Sequence, residues 1–231
     1  MKKKKIGIIG GVGPQATSYL YSRIISLSQE LYAANDNDDF PHLLIESIPI
    51  PDFISDKGKA NIALDMLKET VKSFQNSKVD RICIASNTVH ILLEDLAKEV
   101  DIPFISMIDL VSKKCSDYNY KKVALLATPV LTEAGLYDDS LKRFDIELLK
   151  PKAEELTTIE LIIRGVIAGN VPEEEKSNYI ELMNELYNQG AEAIILGCTE
   201  LPLAFDYRVL GKRAIDSDEV LAEGIVKYYY S

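Results

Sequence analysis

Tryptophan is absent from this chain, and only three cysteines and two histidines occur in its 231 residues. The cysteines, Cys83, Cys115 and Cys198, are odd in number and widely spaced. They form neither a disulfide framework nor a metal-ligand spacing, and they suit a protein of the reducing cytoplasm. No apolar run approaches the roughly 18 residues that a membrane helix needs. The basic start, Lys2 to Lys5, leads only into Ile6–Val12, which Gly interrupts and Pro14 follows. That pattern reads as a first strand and not a signal peptide. Positive charge is the minority: Lys and Arg number 26 against 36 Asp and Glu, for a net charge of −10 and a pI near 4.8. Such a surface repels phosphate backbones and argues against a nucleic-acid partner. What the chain does have is apolar material, 47% of its residues. That is enough for one large core, or for two domains of about a hundred residues each.

Short β-branched runs alternate with longer amphipathic stretches. Strands are expected at Ile6–Ile9, Leu43–Ile48, Arg81–Ala85, Pro103–Ser106, Lys122–Ala127, Ile146–Leu149, Ala193–Leu196 and Arg213–Ile215. Helices are expected at Gln15–Leu31, Ile62–Phe74, Ile91–Val100, Leu131–Phe144, Leu156–Ala168, Pro172–Asn188 and Glu219–Tyr230. Near-continuous apolar strands alternating with helices predict an α/β fold whose parallel sheet is covered on both faces.

The order also restarts. Lys4-Lys5-Ile6-Gly7-Ile8-Ile9 matches Lys121-Lys122-Val123-Ala124-Leu125-Leu126, each opening a strand that runs through small residues into a helix. Those helices carry a Thr and a Leu-Tyr pair: Thr17 with Leu20-Tyr21, and Thr132 with Leu136-Tyr137. Ile84-Ala85-Ser86-Asn87-Thr88 matches Leu196-Gly197-Cys198-Thr199-Glu200, and each is followed by a weak strand ending near an aspartate, Asp109 or Asp216. Two similar α/β halves are expected, with both polar turns at strand C-termini, where open α/β sheets bind ligands.

Three segments carry groups fit for chemistry. The loop Gly10-Gly11-Val12-Gly13-Pro14-Gln15-Ala16-Thr17 satisfies G-x-G-x-x-A from Gly11 to Ala16. The acidic residue that a dinucleotide site expects about 20 residues on is missing, and Pro14 removes an amide donor. A carboxylate suits that helix start better than a nucleotide. Gly197-Cys198-Thr199-Glu200 sets a thiol at a strand end before a helix, where a thiolate is favoured; Cys83 reads as core. In Ser86-Asn87-Thr88-Val89-His90, Asn87 and Thr88 are carboxylate donors, and His90 either orients a neighbour or moves a proton. His42 reads as a loop residue.

The strand–Gly-Gly-x-Gly-Pro–x-Ala-Thr opening, the Asn87-Thr88-x-His90 turn, Thr128-x-x-x-Thr132 followed by Leu136-Tyr137, the Gly197-Cys198-Thr199-Glu200 turn and Ile215-Asp216 occur in this order. Together, over essentially the whole chain, they resemble the aspartate/glutamate racemase family. The resemblance implies two pseudo-symmetric domains, each a mostly parallel sheet flanked by helices, with the active site in the interdomain cleft. The first would span 1–98 plus 207–231 and the second 99–206. It implies a homodimer that uses no cofactor and no metal and takes an amino acid as substrate. Two thiols would flank the α-carbon, one removing the proton and the other returning one. Cys198 and Ser86 fall at the catalytic positions. Gly11, Val12, Asn87, Thr88, Thr128, Thr132, Thr199 and Glu200 fall at substrate-binding ones, and His90 at a supporting one.

Two departures qualify the resemblance. Ser86 stands where most members carry Cys. Some branches hold a hydroxyl residue there, and replacement of a cysteine would leave the same serine. Aspartate-specific members often place Arg after a Pro-Asp, whereas Phe53 follows Pro51-Asp52 here, and Ile167-Ala168 precede Gly169 without a lysine. Aspartate or glutamate is the leading substrate expectation, with another amino acid open. So are hydantoin racemase, maleate isomerase and arylmalonate decarboxylase chemistries, a binding protein that lost its first base, and a dehydrogenase.

Overall fold

The computed structural model describes residues 4–51, 57–207 and 213–231. Two compact units divide the chain: Met1–Met107 with Asp218–Ser231, and Ile108–Ser217. These divisions fall later than the expected 98/99 and 206/207. The reason is local: each unit keeps its own short last strand.

In the first unit, β1 (Lys5–Gly10), β2 (His42–Ser47), β3 (Arg81–Ile84) and β4 (Phe104–Ile105) form one sheet in the order β2-β1-β3-β4. All its pairs are parallel. β1 is buried from Ile6 to Gly10, as a central strand covered on both faces must be. Helices α1 (Pro14–Tyr32) and α2 (Ala60–Asn76) follow β1 and β2, and α3 (Leu93–Ala97) follows β3. One stripe of α2, Ala63, Leu67, Val71 and Phe74, enters a core with Ile9, Ile82, Ile84 and Leu96. Gly7 is what lets α2 approach the sheet, because a Cβ there would stand 2.7 Å from the Phe74 ring.

The second unit repeats this plan. Strands β5 (Lys122–Ala127), β6 (Glu147–Leu149), β7 (Ala193–Gly197) and β8 (Ala214–Asp216) run parallel in the order β6-β5-β7-β8. The element after β5 differs from its counterpart α1. The expected helix Leu131–Phe144 is two helices, α5 (Pro129–Ala134) and α6 (Leu136–Lys142), broken at Gly135 with φ 73°. Helices α7 (Ala153–Ile167) and α8 (Glu173–Asn188) bury Ile159, Ile162, Ile163 and Val166, and Tyr179, Leu182, Met183 and Leu186. A four-residue helix, α9 (Leu201–Ala204), follows β7. The expected helix Ile91–Val100 is likewise shorter: a 3-10 segment over Thr88–Leu92 precedes α3.

The helices after the last strands change units. α4 (Met107–Asp117) leaves β4 but lies almost wholly in the second unit, and α10 (Ser217–Tyr230) leaves β8 but lies almost wholly in the first. Each is held by an arginine. Arg23 on α1 grips Glu219 on α10 through two hydrogen bonds, and Arg143 beyond α6 pairs with Asp109 on α4. Lys4 adds bonds to the Tyr228 carbonyl and to Ser231.

This register corrects one expected equivalence. Ile82 pairs with Phe104 and Ile194 with Ala214. The counterpart of Asp216 is therefore Ser106, and the counterpart of Asp109 is Glu219. A two-residue strand offers too little pattern to place the aspartates from sequence. No helix among the described residues is long and apolar enough to cross a membrane.

Candidate active site

The polar turn of the first unit leaves β3. Ser86, Asn87, Thr88 and His90 are all buried there. Ser86 Oγ accepts the Val89 amide at 3.5 Å, a long bond that leaves the hydroxyl loosely held. His90 Nδ1 lies 2.7 Å from the Ser86 carbonyl oxygen, and His90 Nε2 accepts the Met107 amide at 3.0 Å. An accepting Nε2 requires the neutral ring with its proton on Nδ1, which then donates to the Ser86 carbonyl. Of the two roles open to His90 in the sequence, this geometry is that of an orienting strut. Both of these bonds run to backbone.

The turn of the second unit leaves β7 at the corresponding place. Cys198 Sγ donates to Glu200 Oε2 at 3.0 Å, and Thr199 Oγ1 donates to the same oxygen at 3.1 Å. Glu200 is 4% exposed, and its Oε1 is buried with no hydrogen-bond partner among the described residues. Asp216, also buried, ends β8 beside Leu196. Tyr179 belongs to this cluster and escaped sequence reasoning. Burial first, and then its electrostatic coupling to Cys198, holds its phenol well above the ordinary value. In the sequence Tyr179 is one apolar position among four on α8, with no signal to set it apart.

The loops after β1 and β5 correspond in detail. Gly13 and Thr128 cap α1 and α5 with nearly the same backbone angles, φ −62° and ψ 147° against φ −59° and ψ 149°. A proline follows each. Four residues on, Thr17 and Thr132 each return a hydroxyl bond to the capping carbonyl, at 3.1 and 2.9 Å. Thr128 Oγ1 also accepts the Leu131 amide at 3.2 Å. Both threonines expected at substrate are thus engaged in the helix cap. Gly11, with φ +88°, packs so closely on Ile48 that a Cβ would lie 2.5 Å from its backbone N and O. Gly11 and the neighbouring Val12 are only partly buried. The Asp52-Phe53 pair that bears on side-chain specificity lies outside the described residues.

The other cysteines stand apart. Cys83 is fully buried in β3 and donates to the Gly7 carbonyl, and burial drives its thiol far up. Cys115, on α4, is pushed up to about 12 by burial. No group of three His, Cys, Asp or Glu side chains is placed to hold a metal ion among the described residues.

Two parallel four-stranded units of one topology, each ending its third strand in a buried polar turn, define a duplicated α/β protein. The comparisons give that class its family: the pattern described as Asp/Glu/Hydantoin racemase matches residues 9–224. The chain belongs to this family of isomerases. It is 27% identical over 228 residues to the broad specificity amino-acid racemase RacX of Bacillus subtilis, covering 97% of both chains. The aspartate racemase of Picrophilus torridus superposes with a TM-score of 0.84 at 26% identity, over 98% of this chain and 94% of that one. An aspartate racemase homologue from Pyrococcus horikoshii gives 0.79 at 29% identity, over 99% and 100%. A glutamate racemase from Francisella tularensis, in complex with D-glutamate, shares the fold at 19% identity with a TM-score of 0.70, over 100% of this chain and 82% of that one.

Proposed function

We propose that this protein is a cofactor-independent amino-acid racemase in which Cys198 and Ser86 serve opposite faces of the substrate α-carbon. One observation carries the reading: the two residues hold equivalent places, in the turns that follow β3 and β7, in sheets of identical strand order. In the forward step the Cα–H bond breaks, the proton passes to a Cys198 thiolate as an S–H bond forms, and the electron pair delocalises into the substrate carboxylate. Asn87, Thr88, Thr199 and the loop at Gly11 and Val12 stabilise that charge with preorganised donors. Thr128 and Thr132 shape the site through the α5 cap, and Glu200 takes a polar group of the substrate. A proton returns from the Ser86 side, and the serine recovers its own from solvent while the Cys198 thiol releases the abstracted proton to solvent.

Aspartate and glutamate are the first substrates to test, and the broad specificity of the Bacillus relative supports testing others. The reading includes a cytoplasmic homodimer that needs no metal, nucleotide or pyridoxal phosphate. A serine at the first base position favours a second reading, a binding protein that has lost turnover. Exchange of the α-proton in deuterated water, followed by NMR across L- and D-amino acids, separates the two. A racemase exchanges the proton, and Cys198→Ala abolishes exchange while the circular-dichroism spectrum is kept. Residual activity above about a tenth, a loss of less than roughly 1.4 kcal/mol in barrier, removes Cys198 from its role.

A further inference from the structure

Glu200 is a carboxylate with one oxygen crowded and the other bare. Oε2 receives both the Cys198 thiol and the Thr199 hydroxyl. Oε1 is buried and receives nothing among the described residues, although Glu200 is 96% enclosed by its 4% exposure. No lysine or arginine among the described residues pairs with it, and the nearby strand end adds a second buried carboxylate at Asp216. A buried carboxylate oxygen without a donor is costly, and the cost falls most when a cationic N–H arrives. The bonds to Oε2 also fix the direction of the carboxylate, so Oε1 is held in place beside the thiol.

An amino acid brings such a group, since its ammonium nitrogen is bonded to the very carbon that Cys198 must reach. We propose that Glu200 is the anchor for the substrate α-ammonium group: Oε1 receives an ammonium N–H while Oε2 keeps its bond from Thr199 and receives the Cys198 thiol whenever the sulfur is protonated, so that one carboxylate selects amino acids over amino-free acids beside the sulfur that meets the α-carbon. This rests on the racemase reading. It names the group that would enforce the amino-acid substrate class of that reading. Amino-free dicarboxylates present an anion and no cation to the bare oxygen, and they are turned away.

The test is calorimetric titration of the full chain with L-aspartate and succinate, L-glutamate and glutarate, and L-alanine and propionate, for the native protein and for Glu200→Gln. The amide keeps size and hydrogen bonding and removes the charge. The native protein is expected to bind at least one amino acid about tenfold or more tightly than its amino-free partner. Glu200→Gln is expected to bring that ratio within about threefold by weakening the amino acid alone. Glu200→Asp, which keeps the charge on a shorter arm, is expected to restore part of the ratio, which a merely structural role does not do. A ratio unchanged in a folded Glu200→Gln overturns the assignment, as does a native preference for the amino-free acids. If Gln does not fold, an amino-acid preference missing from Glu200→Asp overturns it too. α-Proton exchange retained beside an unchanged ratio sinks the ammonium anchor alone. Absence of exchange and of binding for every amino acid sinks the racemase reading and the anchor with it.

Discussion

The His90 imidazole accepts the Met107 amide at 3.0 Å, bridging the polar turn after β3 to the last residue of that stretch of the first unit. The opposite ring nitrogen holds the Ser86 carbonyl. One buried side chain thereby sets both the turn that carries Ser86 and the start of α4. His90→Ala leaves a buried amide without its acceptor, a loss of about 1–3 kcal/mol. Urea midpoints at pH 7.5 check this: the His90→Ala protein is expected to unfold at the lower urea concentration.

Ser86 sets an asymmetry in rate. A thiol reaches its anion near operating pH and a serine hydroxyl does not. The α-proton is expected to exchange readily from one enantiomer and slowly from the other, while the equilibrium between enantiomers stays at unity. Ser86→Cys is nearly isosteric and is expected to raise the slower exchange by about tenfold or more, read by NMR on each enantiomer separately. Equal exchange from both enantiomers in the native chain, with no gain from the thiol, assigns the second base to another group.

The three cysteines are expected to react unequally. Burial holds the thiols of Cys83 and Cys115 in their protonated, inert form, Cys115 at about 12. Iodoacetamide at pH 8 is expected to give a single adduct on the native protein, at Cys198, and a bound amino acid is expected to slow it. Peptide mass spectrometry reads the site, and labelling of Cys83 or Cys115 before Cys198 contradicts the assignment.

Gly11 combines a positive φ with backbone contact to Ile48. Gly11→Ala adds strain to overlap and is expected to lower stability by about 2 kcal/mol or more in chemical denaturation. Gly135→Ala separates the two effects. It also has positive φ, 73°, but its Cβ would meet only the Asp138 carboxylate at 3.8 Å. Its loss is expected to be about 1 kcal/mol, the backbone term alone.

The strands and most helices were legible because their signals are local. A buried parallel strand such as Lys122–Ala127 needs an unbroken apolar run, and the apolar stripe of α2 needs a helical period. The internal repeat was legible for the same reason, since the turns at Ser86 and Cys198 each follow a recognisable strand. Element ends were less so. Gly135 splits a continuous apolar period because its backbone turns left-handed there, which the period does not encode.

The sequence by itself determined the alternation of parallel strands with helices, the duplicated halves and the two polar turns that hold the candidate groups. Tertiary structure decided how those groups are held. Nothing in Asn-Thr-Val-His says that the imidazole spends both nitrogens on backbone, or that the partner amide lies 17 residues on at Met107. Nothing in Gly-Cys-Thr-Glu says that the carboxylate turns back onto the thiol with one oxygen and leaves the other without a partner among the described residues. Nothing in the spacing of Arg23 and Glu219 says that a helix leaving the second sheet returns to the first unit. Patterns along a chain report which face of an element is apolar. Hydrogen bonds between distant residues depend on where the backbone carries each group, and that follows only from how the elements stack.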